Sequence, residues 1–345
     1  MHPENEGVMT AAAVRKIPFR RDTVWHPRCR INDAVCFGRC EENMPGISEP
    51  ATRGTRPARA LPFVSCALLV CLAVPALAQA DLVGGWSQKM HEDAIERGGG
   101  PDIGDYTGLP INDRARMQAD GWDAAKWTLQ EHQCEPHPAD YAVRGPGSLR
   151  IWSDMDPVTK EVVAYRTQTM WMNPERTIYM DNRPHPSEFA PHTWGGFSTG
   201  QWVGDMLKVE TTHLKEGWLR RNGLPRSEKA KLTEYFARHD DYLTVVTMIV
   251  DPVFLTEPLV RTSNWVLNPG YAATQQECLP SHEFDRPSGS VPSHLPGANP
   301  WLNEYAEKHG FPIPALRGGA ETMYPEYQRK LATMPVPAKP AGATK

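Results

Sequence analysis

The stretch STGQWVGDMLKVETTHL, residues 198–214, decides the fold. Trp202 and Val203 lead into Gly204-Asp205, and Met206 to Thr212 lead out of it with alternating side chains. A two-residue turn that begins with glycine, set between alternating runs, specifies a tight β-hairpin. The same period of two, rich in β-branched and aromatic residues, occurs upstream in LRIWSD (149–154), EVVAYRTQTMWM (161–172) and RTIYMD (176–181). Downstream it recurs in KLTEYFARH (231–239), DYLTVVTMIV (241–250) and LVRTSNWVL (259–267). Turn residues separate the runs, as at Asn173-Pro174-Glu175 and His239-Asp240-Asp241. Eight strands with mostly short connections predict an antiparallel meander. Closing such a meander removes its two exposed edges. The expected fold is therefore mainly β, an up-and-down meander closing into a lipocalin-like barrel over residues 148–283.

The flanks read differently. Residues 81–147 form a helical and irregular segment, in which Asn112 caps a helix carrying Ala115, Ala119, Trp122 and Trp127, with Gly121 as its weak point. Residues 284–345 are a Pro- and Gly-rich arm with one short helix. Asn299 is its expected cap, Pro300 its first residue, Trp301–His309 its body and Gly310 its stop. The tail beyond Pro335 has the composition of a disordered segment.

Residues 1–80 read as a segment removed from the mature protein. RPARALPFVSCALLVCLAVPALAQA (56–80) has a basic entry, an apolar run from Leu61 to Leu77, and small residues at Ala76, Ala78 and Ala80. That is the pattern of a secretory signal peptide. The apolar run is too short and too proline-broken for a stable membrane span. Met44 would give the signal a normal-length basic region, which makes it a candidate start. The mature chain then begins at Gln79 or Asp81, in the periplasm or outside the cell.

Charge and cysteine usage agree with export. The chain has a net charge of −4 and the mature part is more acidic still, so no basic nucleic-acid face exists. Of seven cysteines only Cys134 and Cys278 fall beyond the signal. In an oxidising compartment such a pair most simply forms a disulfide. The spacing of Cys134 and His137 also permits a metal-ligand pair.

Pro-His-Pro occurs twice, in CEPHPAD (134–140) and RPHPSE (183–188). Prolines cannot donate to a ladder, so each copy stops regular structure and holds its histidine extended. His185 stands near Asp181 and Arg183, an acid–base and anion-binding set in which Asp181 orients the imidazole and Arg183 takes an anionic group. Tyr179 shares the strand face of Asp181. The competing reading makes the prolines a strand terminator only. His185 is expected to be functional and His137 to be structural beside the disulfide.

Other candidates are His192 and His213, as binding groups or, with His137 and His185, as a histidine metal site. No compact pair of histidines supports a metal, and none is assigned. Glu234 and Arg238 lie on an otherwise apolar strand face, either as a structural ion pair or as catalytic and binding groups. Trp152, Trp171, Trp202 and Trp265 fall in strands and suit either an aromatic cavity or an ordinary core. No nucleophile elbow, H-E-x-x-H, phosphate loop or dinucleotide fingerprint occurs, and no cofactor is implied.

IYMDNRPHP (178–186) followed by WVGDMLKVET (202–211) resembles a family of exported, functionally uncharacterised bacterial β-rich proteins. In these an IYMDGRPHP motif precedes a W-x-G-D-x-L-x-V-x-T hairpin. The resemblance spans roughly residues 105–330, with KLTEYFAR and GGAETMYPEY as further parts. Asn182 and His213 stand where those proteins more commonly carry glycine. The resemblance implies export and a β-rich fold and names no reaction. Two function classes stay open: a small-molecule enzyme using acid–base chemistry inside the barrel, such as an isomerase, lyase or hydrolase, and a non-catalytic lipocalin-like binder.

Overall fold

A computed structural model describes residues 79–89, 102–144, 147–170, 172, 174–271 and 277–338. The signal-like segment up to residue 78, Trp171 and the last residues of the tail lie outside this set. The strands are β1 (Gly84–Lys89), β2 (Leu149–Met155), β3 (Val162–Thr169), β4 (Arg176–Tyr179), β5 (Phe197–Val203) and β6 (Met206–Thr212). They continue with β7 (Gly217–Trp218), β8 (Pro225–Arg226), β9 (Lys231–His239), β10 (Tyr242–Val250) and β11 (Leu259–Leu267). The barrel closes in the order β1, β11, β10, β9, β6, β5, β4, β3, β2, and β7 and β8 form a separate two-stranded sheet.

All eight expected strands are present. The decisive hairpin pairs Val203 with Met206 across Gly204-Asp205, with Gly204 at φ +65°. The barrel is closed by β1, a strand within residues 81–147, whose Trp86 pairs with Leu149 on one side and Leu267 on the other.

Strand number constrains direction. Around a ring, direction reverses at every antiparallel contact, so an odd number of strands cannot close without a parallel pair. That pair is β4 and β5, where Ile178 faces Ser198 and Tyr179 faces Thr199. The uniform up-and-down meander is thus interrupted once. Residues 180–196 carry the chain back to the start of β5, and the second Pro-His-Pro lies in this return segment.

The lumen is packed. Trp86, Leu149, Ile151, Tyr165, Ile178, Leu207, Val209, Phe236, Leu243, Val245 and Trp265 form one buried cluster. Each fully buried large side chain contributes about 1.5–3 kcal/mol. Polar side chains share this interior, among them Arg176, Ser198, Thr211, Glu234 and Thr247. A void of about 10 Å³ lies beside Thr167, Thr169 and Arg176, room for about one water. A second apolar cluster, with Tyr106, Ala115, Leu214, Leu224, Leu232, Ile249 and Phe254, ties the flanking segments to the barrel.

Helix α1 (Asp113–Asp120) is capped by Asn112, whose Oδ1 accepts from the Ala115 amide, and it stops at Gly121. Trp127 falls in a separate 3-10 turn, Ala124–Thr128. Helix α2 (Ala139–Ala142) covers the void, with Ala139 and Ala142 on its lining. In the C-terminal arm α3 (Glu304–His309) stops at Gly310 as expected but starts later than Pro300. Asn299 Oδ1 accepts from the Trp301 amide at 3.1 Å, and its side-chain amide donates to the Asp120 and Trp122 carbonyls. The arm also carries α4 (Ile313–Leu316), a 3-10 turn (Ala320–Met323) and α5 (Pro325–Leu331).

Candidate functional site

The residues singled out in the sequence are distributed over three separate places. Glu234 is inside the barrel, 0% exposed, and its Oε2 is ion-paired with Arg176. Arg176 also donates from Nε to Ser198 Oγ at 3.0 Å and from Nη2 to Thr211 Oγ1 at 2.6 Å. Arg238, the expected partner, instead donates to the carbonyls of Asp240 and Asp81 at the barrel end and lies over the Trp86 ring. Arg176 opens β4 on its inward face, where the alternation that buries Ile178 also buries it.

Asp181 and Arg183 pair with each other in solvent, and the Arg183 guanidinium lies 3.8 Å from the Tyr179 ring centroid. That guanidinium holds the Asp181 carboxyl below its ordinary range. Neither group hydrogen-bonds His185. His185 lies on the outer wall, because its partners Thr199 and Thr212 alternate with the inward residues Ser198, Gly200 and Thr211.

The hydrogen-bond directions around His185 follow from one carbonyl. His213 Nε2 contacts the Ser187 carbonyl at 2.8 Å and must donate to it. With Nε2 carrying that proton, Nδ1 as an unprotonated ring nitrogen accepts from Thr212, at 2.7 Å. Thr212 Oγ1 is left to accept from His185 Nδ1, also at 2.7 Å, and Thr199 donates to His185 Nε2 at 2.9 Å. His192 completes the group, with Nδ1 donating to the Leu214 carbonyl and its ring 5.2 Å from that of His213. These histidines fasten the return segment to the wall. Asn182 and His213 both adopt φ +57°, a region that favours glycine.

Burial pushes the pKa of His185 down, His213 and Lys231 push the same way, and Glu210 opposes them. With a folded pKa below the ordinary value, the unfolded chain takes up the proton first as pH falls through about 6.5. The stability this neutral imidazole contributes is therefore complete above that pH and lost as pH falls towards its folded pKa. The decline in unfolding free energy between about pH 7 and about pH 5 should be shallower in His185→Gln than in the parent. Equal declines in urea titrations of the two proteins would remove His185 from this role.

A pocket of ligand size lies elsewhere. Its volume is about 470 Å³, within the usual range for small-molecule sites. None of its lining residues belongs to a barrel strand. The walls come from the first Pro-His-Pro region (132–138), Tyr141 and Arg144 around α2, Trp194, the β7 segment with Glu216, Trp218 and Arg221, and residues 278–281.

Three features hold these irregular segments together. Cys134 and Cys278 form the expected disulfide, with Cα atoms 5.8 Å apart. The backbone amides of His137 and Ala139 donate to the Met172 and Trp194 carbonyls, at 2.9 and 3.1 Å. Buried Asp140 on α2 pairs with Arg226 Nε at 3.1 Å, and Arg226 also donates to the Lys215 carbonyl.

One wall is aromatic. Trp122, Trp127 and Trp218 meet edge to face, with centroids 4.6 to 6.1 Å apart. His137 lies 4.8 Å from Tyr141, so the first Pro-His-Pro histidine, rather than the second, is the one on the pocket. His132 Nδ1 contacts Glu135 Oε1 at 3.0 Å and donates to it if Glu135 is ionised. In the neutral ring that leaves the Nε2 lone pair for a proton. Burial raises the Tyr141 phenol's pKa, opposed by the charges of Arg221 and Arg261. Among the described residues no group of three or more His, Cys, Asp or Glu side chains is placed to hold a metal ion, and no helix is long and apolar enough to cross a membrane.

No family model matches the chain, and no curated protein or solved structure matches it either.

Proposed function

We propose that this is an exported small-molecule-binding β-barrel protein whose ligand site is the pocket outside the barrel wall. The observation that carries this reading is the pocket itself, about 470 Å³ across a disulfide, with tryptophan and tyrosine faces beside paired acid and base groups. The packed lumen argues against a lipocalin-type central cavity. Export is supported by the disulfide and by the signal-like composition of residues 56–80. Membership in the exported family with the IYMDGRPHP motif is supported by backbone geometry. Both positions at which those proteins more commonly carry glycine, Asn182 and His213, are left-handed here.

A ligand-observed NMR screen of small organic acids, alcohols and amides tests the site. Hits should be lost in Trp218→Ala and kept in His185→Ala. Hits that survive Trp218→Ala but vanish in His185→Ala would move the site to the outer wall.

The His132–Glu135 contact favours a second reading, in which the bound molecule is turned over. Glu135 fixes the ring so that Nε2 acts as general base, with Tyr141 as a hydroxyl donor on the same pocket. Any turnover found with a hit compound should fall at least about 100-fold in His132→Gln while binding is kept. Unchanged turnover would leave a binder without this chemistry.

A further inference from the structure

Resting on the pocket as the ligand site, we infer that its ligand is an uncharged planar aromatic carbonyl compound, ring against the tryptophan wall and carbonyl oxygen on the Tyr141 hydroxyl. Three observations combine. The first is which surfaces are open. Trp127, Trp194 and Trp218 line the pocket and are incompletely buried, with Met172 and Leu279 as further apolar lining. Trp218 is braced edge to face by Trp122 and Trp127, which fixes its plane before anything binds. A fixed flat wall costs little ordering on binding and favours a flat partner.

The second is that the charges of the lining balance and are mostly engaged. Its cations are Arg144 and Arg221, and its carboxylates are Glu135 and Glu216. Arg144 donates to the Leu219 carbonyl, Arg221 is engaged as well, and Glu135 is held by His132. Glu216 is exposed, where water screens it. An anion would thus find no uncommitted cation on the lining. A cation would meet the ammonium groups of Lys126 and Lys215, which already lie 5.1 Å from the Trp218 and Trp194 ring centroids. Stripping water from an unpaired charge costs more than a neutral contact returns. The lining amide is engaged too, with Gln133 Nε2 donating to the Thr128 carbonyl, which removes it from the many hydroxyls of a sugar.

The third is Tyr141. It lines the pocket half-buried, and its hydroxyl has no hydrogen-bond partner among the described residues. Burial raises the phenol's pKa, so the proton stays on at neutral pH. The positive charges of Arg221 and Arg261 act on the oxygen in the opposite sense and strengthen the O–H as a donor. A carbonyl oxygen in the plane of a ring accepts such a bond and brings no proton or charge of its own.

Isothermal titration calorimetry of the oxidised protein with acetonaphthone, naphthoate, naphthylmethylammonium, naphthalene and methyl glucoside, each placed in the cell, tests the inference. Acetonaphthone should bind at least about tenfold tighter than either ion, and methyl glucoside should bind more weakly than acetonaphthone. Tyr141→Phe should weaken acetonaphthone by about 3- to 10-fold, the range of one neutral hydrogen bond, and leave naphthalene unchanged. Either ion binding as tightly as acetonaphthone would overturn the uncharged class while the pocket stands. Equal changes for acetonaphthone and naphthalene in Tyr141→Phe would remove the hydroxyl contact and overturn the carbonyl class. Tightest binding by methyl glucoside would replace the aromatic class with a sugar. Probes that all fail to bind, or whose binding is indifferent to both Trp218→Ala and Trp194→Ala, would overturn the pocket reading and this inference with it.

Discussion

Glu234→Ala is expected to cost about 3–5 kcal/mol of unfolding free energy, the usual penalty for breaking a fully buried ion pair. The change removes the carboxylate that neutralises Arg176 and leaves a guanidinium in the barrel interior whose remaining hydrogen-bonding partners, among the described residues, are the Ser198 and Thr211 hydroxyls. One oxygen of the pair, Glu234 Oε1, already lacks a hydrogen-bond partner, so the pair is an incompletely satisfied device. The double variant Arg176→Met, Glu234→Leu should therefore be more stable than either single variant, because it removes both desolvated charges at once. Urea unfolding of the parent, Glu234→Ala, the single variants Arg176→Met and Glu234→Leu, and the double variant at a common m-value measures this. A Glu234→Ala cost below about 1 kcal/mol would be that of a solvated pair and would contradict its burial.

The other large effect belongs to the disulfide. Cys134 and Cys278 are 144 residues apart in sequence, and cross-linking a loop of that length stabilises the native state by about 5 kcal/mol in the chain-entropy model. Cys134→Ser with Cys278→Ser should lose stability on that scale. It should also weaken ligand binding, because both half-cystines and residues 279–281 form part of the pocket wall. Guanidinium unfolding of the wild type and the double serine variant, followed by tryptophan fluorescence, gives the comparison. A loss below about 1 kcal/mol would mean that strain or residual unfolded structure offsets the cross-link.

The barrel was legible because its strands are two-faced. In KLTEYFARH and DYLTVVTMIV the alternation of buried and open side chains is nearly unbroken over each strand of nine residues. GGWSQK at 84–89 carries no such rhythm, and its two glycines read as loop, although Trp86 in the middle is fully buried. The parallel pair was hidden for a different reason. The hydrophobic pattern of a strand is the same whichever way its neighbour runs, so only the count of strands around the closed ring reveals it.

The site was less legible. Residues 132–144, 194, 216–221 and 278–281 have no periodicity, and their meeting depends on tertiary closure. The signal that could have located them was the disulfide itself. It places CEPHPAD against the chain near residue 278, and a rigid Pro-His-Pro beside a cross-link is a ready wall for a cavity. Glu234 was recognised as a buried charge in need of a partner, but its partner lies on β4, 58 residues away, rather than two or four along its own strand. Proximity in sequence likewise linked Asp181, Arg183 and His185. The return segment separates them, leaving the first two in solvent and turning the third onto the β5–β6 wall.

The most direct measurement is the position of a bound small molecule. Crystals of the oxidised protein soaked with an iodinated hit from the ligand screen should show an anomalous iodine peak in the pocket, against Trp194 or Trp218. A peak in the lumen beside Arg176, on the outer wall at His185, or none in the pocket at a concentration that saturates calorimetric binding would contradict a ligand site outside the barrel wall.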